Sequence, residues 1–225
     1  MKGSRTATKA DRAREIIRKI EANLEDAIAI EAMLSWSNDD PAVWRAYDQT
    51  PAVFGCNLIR HNLLIQLALV MMRIHDPGAG NKAALPHLFK LLRDRDVRAE
   101  IRRDARAWHP DELDLADNSE QTAVEAISDA QTRWEVVKEQ EPNKRLRRHR
   151  SRYIAHSLIE MSDEEKAVCN DAYKLLEDTT PIVEKLLLGL LGRSEGFADR
   201  RETRRKHAEA FWSRATAGVE TSRGR

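Results

Sequence analysis

Apolar residues recur at helical spacing along most of the chain. Ile17, Ile20, Leu24, Ile28 (or Ala27) and Leu34 line one face over residues 10–36, opposite a charged face, which predicts a scaffold helix. Asn38 or Asp39 can cap a short helix whose first turn tolerates Pro41, and Thr50 before Pro51 announces the next start. Residues 52–74 are nearly all apolar, broken by Asn57, Arg60, His61, Asn62, Gln66 and Arg73. That predicts a central helix covered on several sides, the most buried of the chain. The loop DPGAGN at 76–81 leads to short helices over 84–94 and 95–108, the second mixing acids and bases as a solvated face does. An acidic connector follows. Asn118 and Gln121 have capping-box spacing ahead of Val124, Ile127, Trp134 and Val137, which predicts a helix ending near Gln140. After the break at Glu141-Pro142, a helix over 143–160 is expected as its antiparallel neighbour. Ser162 and Glu165 open the segment 162–191, with Leu175, Leu176, Ile182, Val183, Leu186 and Leu190 on its stripe, and Pro181 is expected to kink or divide it. Past Gly192 and Gly196 a charged tail carries a short helix around 208–211.

These elements predict an all-α fold, an up-and-down or irregular helical bundle. Its core is expected from 52–76, 118–140, 143–160 and 162–191, with 10–36 laid across it. Nine glycines, seven prolines and 5% aromatics in 225 residues agree with helices rather than a turn-rich sheet protein. The length fits one domain: a disordered tail over 1–9, a single helical domain over 10–192 and a charged extension over 193–225. No run of about 18 uninterrupted apolar residues and no leader-like start stands out, so a cytoplasmic protein without a membrane partner is expected. Cys56 and Cys169 lack metal-ligand spacing and read as free thiols. No metal or cofactor is expected. Trp36, Trp44 and Tyr47 read as packing between helices.

A net charge of +1 gives no global field for nucleic acid, so any such contact must be local. The clearest patch lies in NKRLRRHRSRYIAHSLIE over 143–160, where six of the nine residues from 144 to 152 are basic and none is acidic. On a helix Leu146, Arg150, Ile154 and Ser157 share one side, which puts a guanidinium in an apolar stripe. Burying it calls for a carboxylate, a phosphate or a wet interface opposite. His156 lies roughly 120° around the axis, beside His149, Arg152 and Tyr153.

Arg150 and His156 enclose five residues, and RSRYIAH resembles the arginine-to-histidine motif of the HEPN superfamily, in particular its abortive-infection, AbiU-type branch. NLIRHNLLIQLALVMMRIHDPGAGNKAALPHLFKLL, residues 57–92, is similar to that branch's long apolar helix, its Arg-apolar-x-Asp end and the short helix after the loop. The resemblance covers roughly 50–190. It implies a HEPN-like domain forming a symmetric homodimer in which two motif helices meet, and a metal-independent endoribonuclease of a defence or toxin and antitoxin system. Arg150 and His156 are then the catalytic pair and Ser151 a supporting polar group. Arg147, Arg148 and Arg152 would hold RNA, with His149, Tyr153 and His61 as further candidates and a cognate antitoxin as a possible partner.

The chemistry fits those residue types. RNA carries its own nucleophile, the 2′-OH, histidine moves protons near neutral pH, and arginine offers a donor fork for phosphoryl oxygens. A noncatalytic RNA-, nucleotide- or partner-binding module would show the same residues, as would a buried arginine paired with a carboxylate beside a surface histidine.

Overall fold

The structure is a computed structural model that describes residues 7–48, 50–78, 82–109, 113–149 and 169–222. Among them lie nine helices and no strand: α1 (Lys9–Asp39), α2 (Pro41–Tyr47), α3 (Ala52–His75), α4 (Leu85–Leu92), α5 (Arg95–Arg106), α6 (Leu113–Val137), α7 (Glu141–His149), α8 (Cys169–Leu191) and α9 (Phe197–Ser222). The all-α expectation holds.

A capping box starts α1. The Thr8 hydroxyl accepts from the Asp11 amide at 3.0 Å, and the Asp11 carboxylate accepts from the Thr8 amide at 3.1 Å. Beyond it Ile16, Ile17, Ile20 and Leu24 are fully buried. The expectation that this helix lies across the bundle needs correction, because α3, α4, α8 and α9 all pack on it. Adjacent Ile16 and Ile17 widen its apolar arc, and the buried alanines 10, 13, 27 and 32 let neighbours close in from more than one side.

The opposite correction applies to α3. Its second half, from Leu67 to His75, is core, whereas Phe54 (75% exposed), Leu58 and Ile59 face outward. By length and composition α3 could cross a membrane, with a mean hydropathy of 1.4 over its best window, yet the half that packs does so on protein. Apolarity on every side allows burial on every side; it does not say which covers the chain itself provides.

The most extensive pairing is α6 against α8. A Cβ on Gly189 would fall 2.6 Å from Ile127 Cγ1 and 3.0 Å from the Ala123 carbonyl, so only glycine permits this approach. Pro181 does not divide α8, which runs unbroken through it. Just before it the Thr179 and Thr180 hydroxyls donate to the carbonyls of Leu175 and Leu176, one turn back in the same helix. Gly192, at φ 66°, closes the helix.

Other boundaries shift for local reasons. Asp40, not Asn38 or Asp39, caps α2 by accepting from the Ala42 amide. α6 starts at Leu113, so Asn118 is an exposed residue within the helix and not its cap. The residues from 193 onward were expected as a charged extension with a short helix. Residues 197–222 form the long helix α9, docked on α1 and α2. Phe197, Ala208 and Trp212 are buried there, and the Trp212 indole donates to the Met33 carbonyl at 3.0 Å. Arg201 reaches the buried Glu31 at 3.2 Å, and Arg200 pairs with Glu25 and Glu195. Trp36 and Tyr47 join Val43, Cys56 and Trp212 in a small second core, as their packing role requires. Trp44 stays partly exposed under the Arg60 guanidinium, 3.6 Å from the ring centre.

Candidate functional site

The basic stretch enters the bundle as α7. Its N-terminal joint is Asn143, fully buried, whose side-chain amide donates to the carbonyls of Val137 and Lys138 at the end of α6, the first of which also accepts from the Gln140 amide. The turn thus satisfied does not lay α7 back along α6. Instead α7 packs on α8 and on the end of α3, because its one buried apolar residue among 141–148, Leu146, and its best-placed cation, Arg145, both serve that side.

Arg145 grips the buried carboxylate of Asp171 with two donors, Nε to Oδ2 at 2.7 Å and Nη2 to Oδ1 at 2.5 Å. The hydrogen bonds to Asp171 raise its pKa above the usual arginine value. This fork ties the last turns of α7 to the first turn of α8, which bracket residues 150–168. Sequence reading passed over it, since nothing local links positions 145 and 171.

Arg147 turns inward. Its Nη2 donates to the His75 carbonyl at the end of α3, at 3.1 Å, and burial lowers its pKa, against the opposing pull of Asp76 and Glu139. Asp76 accepts from the Gly78 amide at 2.9 Å and from Lys82 Nζ at 2.7 Å. This places Asp76 in end-of-helix chemistry, as its position predicts.

His75 is wholly buried. Its Nε2 lies 2.8 Å from the Thr179 hydroxyl and its ring 5.3 Å from that of Trp134. The Thr179 proton is committed to the Leu175 carbonyl at 2.5 Å, so Nε2–H is the donor of the pair and Nδ1 carries the lone pair. Burial first, and the Arg147 charge second, push the His75 pKa down to about 3. A neutral, packed imidazole results. Its place four residues after Met71 and eight after Leu67, both buried, is the sequence signal for that role.

Arg148 stays exposed, with Glu141 at 3.6 Å, and Lys144 lies 3.7 and 3.8 Å from Glu139 and Glu141. The acids missing from the basic run are therefore supplied from just before it and from α8. His149 ends α7, and Arg150, Ser151, Arg152, Tyr153 and His156 lie outside the described residues. His61 is not brought to this end: it is exposed in the first half of α3, about 21 Å along the axis from His75.

The family model HEPN_AbiU2, described as AbiU2, matches residues 14–211, a span that takes in most of α1 and reaches Phe211 in α9. No curated protein and no solved structure matches the chain.

Proposed function

Because the chain belongs to the HEPN_AbiU2 family, we propose that it is a metal-independent endoribonuclease of a bacterial defence or toxin and antitoxin system, working in the cytoplasm. The observation that carries this reading is the arginine-to-histidine spacing of Arg150 and His156, set directly after a helix anchored at three points: Asn143 to α6, Arg145 to α8 and Arg147 to α3. His156 takes the proton of the attacking 2′-OH, the Arg150 fork meets the charge that grows on the phosphoryl oxygens, and the P–O5′ bond breaks as the departing 5′ oxygen takes up a proton from water. Ser151 orients the phosphate. Arg148 and Arg152 hold its neighbours, with His149 and Tyr153 nearby in sequence. Arg147 contributes by fixing α7, since its guanidinium is engaged on α3.

The test uses purified protein and one RNA with EDTA present. Cleavage is expected to persist and to leave a cyclic phosphate on the upstream fragment. The same RNA carrying a single 2′-deoxy substitution at the cut site should resist. Undiminished cutting of the substituted strand would sink the mechanism.

The proposed working unit is a homodimer with residues 143–160 of each copy toward the two-fold axis, and an antitoxin protein as a further partner. What supports self-association is an exposed apolar patch: Phe54, Leu58 and Ile59 on α3 are 47% exposed or more, and Trp44 of α2, beneath Arg60, is 43% exposed. Gly55 lies among them, and a Cβ built there would meet nothing within 4 Å, so its place in a helix has no packing reason among the described residues. The patch ends about 24 Å along α3 from His75, where α7 docks, so it supports self-association itself and not the position of 143–160 in the dimer. Light scattering at micromolar concentration should give the dimer mass, and Phe54→Glu with Leu58→Glu should shift it to the monomer. A dimer unmoved by the double substitution would place the interface elsewhere.

A further inference from the structure

We propose that the groove between α5 and α6 docks an acidic amphipathic helix from a partner protein. The groove has a volume of about 580 Å³ and runs where α5 packs on α6. Leu92, Ile101 and Ile127 make its apolar floor, and Val124, 38% exposed, leaves that floor open at one edge. Arg95, Arg98 and Arg102 rise along one wall, and Ser128 and Gln131 stand on the other; no carboxylate lines it.

The sequence of α5 reads as a solvated face of mixed charge, and its far end behaves so. Arg102 pairs with Glu120 at 2.6 Å, and Arg106 with Asp117 and Glu120. Arg95 and Arg98 differ, because no carboxylate of the described residues lies within ion-pair distance of either. Positions 95, 98 and 102 are spaced i, i+3 and i+7, so they project from one side of α5 over about 10 Å. Carboxylates at matching intervals on a facing helix would meet them, while apolar residues one turn apart on that helix would enter over Val124 and Ile127.

Charge alone would also suit RNA. The floor decides between them: it is aliphatic, with no aromatic ring among the lining residues on which a base could stack. An arginine row beside a buried aliphatic floor fits an acidic peptide with an apolar stripe better than a hydrated phosphate chain. None of this depends on RNA cleavage, so the two readings can fail separately.

The experiment selects a random 12-residue peptide library on the full-length protein, with counter-selection on an Arg95→Glu/Arg98→Glu variant. Both positions are exposed near the start of α5, where glutamate suits the helix. The selected peptides should be rich in Asp and Glu, with Leu, Ile or Phe recurring at three- and four-residue intervals. By fluorescence anisotropy the double variant should bind them roughly tenfold or more weakly, in line with the loss of close charge pairs. Val124→Glu, a second variant that leaves the arginines in place, should weaken binding as well. A neutral or basic consensus, no peptide that distinguishes the variants, or a 12-nucleotide single-stranded RNA that loses binding to the double variant while the peptides keep it, would overturn the proposal.

Discussion

In a His156→Ala variant, RNA cleavage is expected to fall by roughly 10²- to 10⁴-fold, the range a positioned proton-transfer group contributes. Thermal unfolding should stay that of the parent, because the proposed role is proton transfer and not packing. Arg150→Ala should be as severe. Arg150→Lys should fail to restore activity, since an ammonium is a point charge and cannot reproduce two parallel donors on one phosphoryl group. The comparison with RNA binding separates the roles: His156→Ala should still hold RNA, whereas Arg148→Ala, at an exposed cation, should weaken binding and reduce its salt dependence with a smaller effect on the chemical step. Full activity in His156→Ala would remove the catalytic assignment. Full rescue by lysine at 150 would leave Arg150 a charge-only part.

How far this arrangement can be read in the sequence depends on how local each cause is. The helices were legible because apolar spacing repeats within a few residues, as in α1, where Ile17, Ile20 and Leu24 trace the buried face, whereas its Thr8–Asp11 cap lies in a stretch that reads as a disordered tail. The AbiU-type HEPN resemblance was legible from short motifs, and the family match over 14–211 bears it out while reaching further at both ends. What depends on distant partners was not. Nothing near Arg145 announces Asp171, and nothing near Arg147 announces that it closes the end of α3. The basic run therefore reads as more available than it is. In α3 the error runs the other way, since uniform apolarity reads as complete burial although Phe54, Leu58 and Ile59 find no cover among the described residues.

Acid should weaken the fold through His75 well above the pH at which most carboxylates titrate. In the unfolded chain its imidazole takes a proton near pH 6.5, while in the fold burial and the Arg147 charge hold the pKa at about 3. Between those values the unfolded state binds the proton and the folded state does not. The stabilisation is whole above pH 6.5 and is lost as pH falls toward 3. At 1.36 kcal/mol per unit, lowering the pH from 6.5 to 4 removes about 3 kcal/mol from this one group as an upper figure. The groups facing the ring explain why no rescue occurs inside: Thr179 and Trp134 are neutral, Arg147 is cationic, and Asp76, the nearest acid in sequence, is held by the Gly78 amide and Lys82. Chemical denaturation at a series of pH values should show the loss in the parent and a clearly shallower slope in His75→Gln, whose amide can still donate to Thr179. Nitrogen chemical shifts give an independent check that needs no variant, since the His75 ring should remain a neutral Nε2–H tautomer at pH 4.5. A ring that protonates near pH 6 in the folded protein would show that His75 is not held in the core as described, and the acid sensitivity would then belong to the ion pairs of the surface.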